Sequence, residues 1–344
     1  YGTQDGALLE STMSKLYKRF CRLVVAEDSR NEMAVDFSQF RVVFSITNMV
    51  SGAPPTADIR IYNVSDDTVS RIRQEGQKVI LEAGYEESRG VIFQGDLVQR
   101  YKGTVGDKED FRLDSILQIV ARTNDKAHTY AMINTSLPAG ADASRLAKRI
   151  LDEYGKYDIK PGKIPDLSGA KLTRGKVYYG PLKSVLDNFC RTHELQSCYY
   201  GDELSVIPVK ETFGEAPVVL NEKTGLIGKP VMSISGLKVK TLMRPEIKLN
   251  TTLQIANSDI VYDSSNNTTA NASSGTGQKA ASAGKTEGTE KDAAKNTVDV
   301  NGLYKIVSIT HKGDTRGNDW YMEMVCTAAN PTEKQSGSSD KKEG

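Results

Sequence analysis

The sequence predicts a mainly β chain with a small α+β part: a first small β-barrel or sandwich, an α+β unit, then a second barrel. Three observations carry this. Residues 37–99 hold four runs in which apolar and polar residues alternate, separated by turn residues. Residues 126–210 switch to helical spacing followed by a hairpin pattern. Strand signals return after residue 215 and finish in a long hairpin over 303–327.

Each element has its own local reason. Residues 19–26 read as a strand through Phe20, Cys21, Leu23, Val24 and Val25, and the polar 27–36 as a loop. Phe40, Val42, Phe44 and Ile46 then alternate, as do Ala57, Ile59 and Ile61; Val79, Leu81 and Ala83; and Val91, Phe93 and Leu97. Period two places each set on one face of a strand. Ser65 is placed to cap a short helix with Asp66 and Asp67 in its first turn, Val69 and Ile72 on its apolar edge and Gly76 at its end. Leu113, Leu117 and Ile119 supply a further strand over 111–121.

Ala143, Leu146, Ala147, Ile150, Leu151 and Tyr154 follow helical spacing, with Asp142 to cap and Gly155 to close. A basic, Gly- and Pro-containing connection covers 156–176. Leu182, Val185, Leu186, Phe189 and Cys190 mark a second helix after Pro181. A hairpin around Gly201-Asp202 follows. Strand candidates resume at 218–220, 231–234, 237–242 and 247–255. Residues 263–296 contain no Val, Ile, Leu, Met, Phe, Trp or Tyr, so they are expected to be a disordered insertion between two strands. Residues 303–312 and 319–327 form the closing hairpin, with Trp320, Met322, Met324 and Cys326 facing one way. The expected organisation is an arm over 1–14, a first barrel over 15–125, the α+β domain over 126–210, a second barrel over 211–328 and a tail over 329–344.

Composition narrows the function. The 344 residues carry 45 Lys and Arg against 44 Asp and Glu, a net charge of +1. No global field attracts nucleic acid or an acidic membrane. No run approaches the ~20 apolar residues of a membrane helix, and residues 1–14 lack a secretory pattern. Cys21, Cys190, Cys198 and Cys326 are scattered, which suits free buried thiols in a reducing compartment.

Chemical motifs are weak. Cys190, His193 and Cys198 offer three soft ligands where a closed metal site needs four, so no metal or other cofactor is expected. His311 near Asp314 and Asp319 resembles an acid-base set, but the three lie in and beside a turn whose Asp and Asn side chains bond local backbone. Glu86-Glu87 and Asp66-Asp67 are sequence neighbours, not carboxylates facing each other across a cleft. Lys156, Lys160, Lys163, Lys171 and Arg174 lack the phosphate-loop pattern and read as a solvated face or a contact with an acidic neighbour or DNA. The Asn-x-Ser/Thr triplets at Asn63, Asn250 and Asn271 carry no weight without a secretory signal. No catalytic residue is assigned.

Three stretches resemble a known family. The first runs from Phe40-Arg-Val-Val-Phe through Ile61-Tyr-Asn-Val-Ser, Glu75-Gly-Gln-Lys-Val and Ala83-Gly-Tyr to Ile92-Phe-Gln-Gly. The second joins Gly225-Leu-Ile-Gly-Lys-Pro, Gly236-Leu-Lys-Val-Lys-Thr-Leu-Met-Arg-Pro and Asn250. The third is Gly302-Leu-Tyr-Lys-Ile with His311-Lys-Gly-Asp-Thr-Arg-Gly-Asn-Asp-Trp. Their order and spacing resemble the central hub proteins of contractile phage baseplates, those of Mu-like myophages above all. The resemblance implies two tail-tube-like barrels per subunit and a homotrimeric ring that imitates a six-fold tube end. It also implies a central spike protein on one side and a tail tube protein on the other. Further partners implied are the tape measure protein and neighbouring wedge or connector proteins, with DNA only passing through the lumen. The place implied is the virion tail baseplate, assembled in host cytoplasm. The expected contact surfaces are the first meander, 40–46 and 59–64, with Phe40, Phe44, Ile59 and Tyr62, and the last hairpin, with Tyr304, His311, Asp314, Arg316 and Trp320. The rivals are a tail peptidoglycan hydrolase and a tube-initiator or wedge subunit.

Overall fold

The computed structural model describes residues 18–26, 34–50, 52–72, 77–105, 114–167, 169–209, 211–212, 216–262 and 302–329. The expected arm, the loop residues 27–33, Gly76, Leu113, the insertion 263–296 and the tail beyond 329 lie outside the described residues.

The first β half comprises β1 (Arg19–Ala26), β2 (Val35–Asp36), β3 (Val42–Met49), β4 (Thr56–Tyr62), β5 (Lys78–Tyr85), β6 (Ser88–Val105) and β7 (Asp114–Arg122). They pair antiparallel in the order β2-β1-β5-β6-β7-β4-β3. The alternating residues turn inward: Leu23, Val42, Phe44, Ile46, Ile59, Ile61, Leu81 and Ile119 are buried together. Val91 is a correction. It was expected inward beside Phe93, yet it faces solvent. The ladder from β5 skips Ile92, pairing Leu81 with Phe93 and Glu82 with Val91. Such a bulge inserts one residue and reverses the facing of what precedes it.

The helix α1 (Asp66–Arg71) starts where Ser65 was expected to cap it: Ser65 Oγ accepts the Thr68 amide at 3.3 Å. It stops at Ile72, ahead of the expected Gly76, where the backbone is already extended and the Ile72 amide donates to the Val69 carbonyl.

The α+β unit contains α2 (Asp125–Tyr130), β8 (Met132–Leu137), α3 (Ala143–Gly155), β9 (Lys160–Pro161), β10 (Lys176–Pro181), α4 (Leu182–Thr192), β11 (Leu195–Tyr200) and β12 (Glu203–Pro208). It has a core of its own, built from Ile133, Leu146, Ile150, Tyr154, Leu182, Leu186 and Phe189. Both helix faces are as the spacing predicted. Two caps differ. Asp142 holds the N-cap position of α3 without a capping bond. Gly155 is the last helical residue, and the chain continues right-handed through Lys156. The ribbon β8–β10 was not foreseen. Only Ile133 and Leu137 of β8 face inward, too sparse for a period-two signal, and β10 ends in Gly-Pro, which reads as a break.

The second β half holds β13 (Val218–Val219), β14 (Val231–Ser233), β15 (Gly236–Leu242), β16 (Thr252–Gln254), β17 (Val261–Tyr262), β18 (Leu303–Asp314) and β19 (Trp320–Ala328). β18 decides the architecture. One edge pairs along its length with β19. The other edge is shared: residues 303–305 pair with β16, and residues 308–314 pair with β3 of the first half. The switch falls at Val307, where the β18–β19 register shifts and the Val307 carbonyl accepts the Val50 amide at 2.9 Å. A bulge bends the strand and lets its two halves serve different partners. The result is one 14-stranded sheet through both β halves, over a single continuous core. The mainly β fold with an α+β part is as the sequence predicted.

Candidate functional site: the seam between the two β halves

The seam is the β3–β18 ladder plus the turn from Asp314 to Asp319, closed by an Asp314 amide bond to the Asp319 carbonyl at 2.7 Å. This turn grips the first half. Asp314 takes a two-pronged bond from Arg41, 3.2 Å from Nε and 2.7 Å from Nη2. Oδ1 also accepts the Arg316 amide at 2.9 Å, and the Gly317 backbone bonds the same carboxylate. The Arg41 bond, ahead of the backbone amides, holds the Asp314 carboxyl below the usual carboxylate range. The Arg41 guanidinium also lies 4.7 Å over the Tyr62 ring. Thr315 exchanges bonds with Val42: its amide donates to the Val42 carbonyl and its Oγ1 accepts the Val42 amide, both at 3.0 Å. Arg316, exposed, reaches the Gln39 carbonyl at 3.3 Å.

Trp320 starts the return strand and is buried. Its ring meets Phe44 edge-on at 5.6 Å, and its Nε1 donates to the Gly84 carbonyl at 3.2 Å. Arg19 spans the same corner, 5.7 Å over the Trp320 ring and 2.6 Å from the Gly317 carbonyl. Gly313 sits opposite Phe44 in the ladder, and a Cβ there would overlap the Phe44 ring. Gly313→Ala is therefore expected to cost about 2 kcal/mol through overpacking. Denaturant unfolding of Gly313→Ala with and without Phe44→Leu checks this: the smaller partner should recover much of the loss.

His311 pairs with Ile46 across the seam and with Met322 on its other side. Its ring is 7% exposed, and burial pushes its pKa down to about 4. Its Nδ1 has no hydrogen-bond partner among the described residues. It lines a cavity of about 290 Å³ with Asn48, Gln94, Tyr199, Tyr200 and Lys248. The α+β unit closes this cavity and is bolted to both halves. Asn48 Nδ2 donates to the Tyr199 carbonyl at 3.4 Å, Gln196 Nε2 to Asn250 Oδ1 at 3.1 Å, and the Tyr200 hydroxyl to the Leu249 carbonyl. Lys305, buried on β18, donates to the carbonyls of Val209 at 2.6 Å and Glu211 at 2.9 Å. Burial lowers its pKa to about 8.

The structure thus brings Phe40, Phe44, Tyr62, His311, Asp314, Arg316 and Trp320 to one seam inside the chain. Phe40 and Tyr62 are half-buried there; Phe44, His311, Asp314 and Trp320 are buried. Ile59 is in the core beneath, and Tyr304 lies at the far end of β18 with its hydroxyl 3.0 Å from Asn257 Oδ1. The other weighed groups stand apart. Glu86 pairs with Lys18 at 3.2 Å in the β5–β6 turn, and Asp66 and Asp67 open α1. The His193 ring packs against Phe189 at 4.9 Å. All four thiols are free, and burial raises the pKa of Cys21 and Cys190 to about 12 and of Cys198 to about 11. Lys160 pairs with Asp202 at 2.9 Å and Lys156 with Glu153 at 2.5 Å, while Lys171 and Arg174 are exposed. Sequence reasoning missed Arg41, Gly313, Thr315, Arg19, Asn250 and Lys305. Gly313, just past the strand expected over 303–312, read as the start of the turn and not as a point of close approach.

No protein-family model matches the chain, and no curated protein matches it in sequence. Solved structures do. The 43 kDa tail protein of prophage MuSo2 from Shewanella oneidensis aligns over 91% of this chain and 99% of its own, at TM-score 0.53 and 8% identity. The tail protein from Neisseria meningitidis MC58 aligns over 90% and 97%, at TM-score 0.54 and 9% identity. The fold is that of phage and prophage tail proteins. The same tail-protein fold extends to the E. coli c3393 protein, a type VI secretion component with structural similarity to the T4 bacteriophage tail proteins gp27 and gp5. It aligns over 92% of this chain and 78% of its own, at TM-score 0.51 and 9% identity. The match runs nearly end to end in both the Shewanella and the Neisseria tail proteins.

Proposed function

We propose that this chain is a structural hub subunit of a contractile phage tail baseplate, acting through interfaces and not through catalysis. Three copies form a ring that joins the central spike to the tail tube. The observation that carries this is the one sheet through two β halves, locked by β18, in a chain whose fold matches tail proteins along nearly its whole length. The two halves, 15–125 and 211–328, are read as tube-like barrels flanking the α+β domain 126–210. A rigid pair of wall segments per subunit lets three subunits present six segments to a six-fold tube. The likeness to a protein that itself resembles gp27 and gp5 supports spike and tail partners. Wedge or connector proteins and the tape measure protein are the further partners. DNA passes the lumen without being read, in keeping with a net charge of +1.

Buried seam residues such as Phe44 and Trp320 serve this role from within, by fixing the angle between the segments. The half-buried Phe40 and Tyr62 and the exposed Arg316 are the members of the expected contact surfaces left at the rim. Native mass measurement of the purified chain, alone and with the spike protein of the same tail, tests the reading. A trimer that binds the spike is the expected result. A chain that stays monomeric in the presence of the spike overturns it.

A further inference from the structure

The cavity lined by His311 stands where three parts of the chain meet. Asn48 and Phe93 come from the first β half, Tyr199 and Tyr200 from the α+β unit, and Ile309 and His311 from the second β half. Its volume is about 290 Å³. An apolar cavity of about 150 Å³ is enough to hold a benzene ring. Phe93, Tyr199, Ile247, Leu249 and Ile309 make much of the wall apolar or aromatic, and all five are buried. Exposed Val91, Gln94 and Lys248 stand at the rim and give a ligand a way in.

Most polar groups on the wall are spent within the chain. The Tyr200 hydroxyl donates to the Leu249 carbonyl. The Tyr199 hydroxyl is hydrogen-bonded to that of Tyr154. Thr123 Oγ1 donates to the Gln94 carbonyl at 2.7 Å, and Asn48 uses its Nδ2 on the Tyr199 carbonyl. Two buried atoms are left without a partner among the described residues, Asn48 Oδ1 and His311 Nδ1. Buried polar atoms are nearly always paired, so these two call for a partner.

The strand register puts them side by side. Asn48 stands opposite Ile309 in the β3–β18 ladder, and His311 is two residues further along. They are diagonal neighbours on one face, a spacing that long side chains bridge.

Their chemistry selects the ligand. Asn48 Oδ1 only accepts. Burial keeps the His311 imidazole neutral, and its Nδ1 donates or accepts according to tautomer. A hydroxyl both donates and accepts, so it suits both atoms. Among the described residues the one charged side chain on the wall is Lys248, which is exposed. A charged ligand would lose its hydration there without a buried counter-charge.

We propose that this cavity binds a small neutral phenol, its ring against the aromatic and aliphatic wall and its hydroxyl bonded to Asn48 Oδ1 and His311 Nδ1. The site is independent of the hub reading. A ligand in it touches all three parts of the chain and stabilises their assembly.

The test titrates the full chain with phenol, with toluene, which replaces the hydroxyl by a methyl group, and with benzoate, by ligand-detected NMR. Phenol and toluene are expected to bind, and benzoate to bind at least about 10-fold more weakly than phenol. His311→Leu, verified as folded by circular dichroism, should weaken phenol relative to toluene by about 10-fold. In the wild type, phenol should move the ring nitrogen resonances of His311 and toluene should leave them in place, a readout that does not depend on the variant folding. If neither phenol nor toluene binds, the site is overturned and the cavity belongs to water. Benzoate binding more tightly than phenol overturns the neutral class. An unchanged ratio of phenol to toluene affinity in His311→Leu, or His311 ring nitrogens unmoved by saturating phenol, overturns the assigned contact.

Discussion

Trp320→Ala is expected to lower the free energy of unfolding by about 4 kcal/mol, within the range for removing a buried tryptophan. Four losses combine. The indole is almost wholly buried, and truncation leaves a cavity between the two β halves. The edge-on contact with Phe44 at 5.6 Å disappears. The Gly84 carbonyl loses the Nε1–H donor at 3.2 Å, and Arg19 loses the ring beneath its guanidinium. Trp320→Phe separates the terms: it keeps a ring against Phe44 but strands the Gly84 carbonyl, and should cost about 1–2 kcal/mol. Urea unfolding of both variants provides the check. A loss below about 1 kcal/mol for Trp320→Ala would mean that Trp320 does not hold the halves together.

Acid should loosen the same seam before the carboxylates titrate. His311 has a folded pKa of about 4, against an ordinary value of 6.5. Between those values the unfolded chain binds more protons than the folded one, so stability falls as pH falls through this window. The loss begins near pH 6.5, reaches about 2 kcal/mol by pH 5 and levels off at about 3 kcal/mol below pH 4. Among the described residues no carboxylate lines the His311 cavity to stabilise an imidazolium, and burial alone lowers its pKa. His128 and His193 also have lowered pKa values, mainly through burial, so the whole-chain slope is not due to His311 alone. The His311→Leu variant isolates it: denaturation midpoints at pH 7 and pH 5 should differ less than in the wild type. Equal differences would mean that His311 is protonated without cost. Asp314 acts in a lower window. Its folded pKa is depressed by Arg41, so its contribution is present above its unfolded value of about 4 and is lost below it.

The alternation in residues 40–62 and 79–83 specified strands, facing and core because one face of each strand is buried and a slip of one residue would expose it. Two of the three helices of the α+β unit, α3 and α4, were legible for the same reason at helical period, while the short α2 was not foreseen. What escaped has physical causes. The Val91 facing depends on a bulge, which is set by the partner strand and leaves no local mark. The ribbon β8–β10 buries little of itself, so its sequence lacks an inward stripe. The seam is the largest omission. Arg41 and Asp314 are 273 residues apart, and nothing local to either marks it as the other's partner. Burial of Asp314 and Trp320 could be suspected from the hairpin, but the use of β18 by both halves depends on the Val307 switch. The resemblance supplied the order of parts, not their fusion into one sheet.

That fusion is what the proposed role needs, since a hub must hold two wall segments at a fixed angle. Averaged electron micrographs of the assembled chain, viewed down the ring axis, test it most directly. The account predicts a ring of three subunits with three-fold symmetry, whose wall shows six lobes around an open lumen. A ring of six subunits, or a three-subunit ring with three wall lobes, would contradict it.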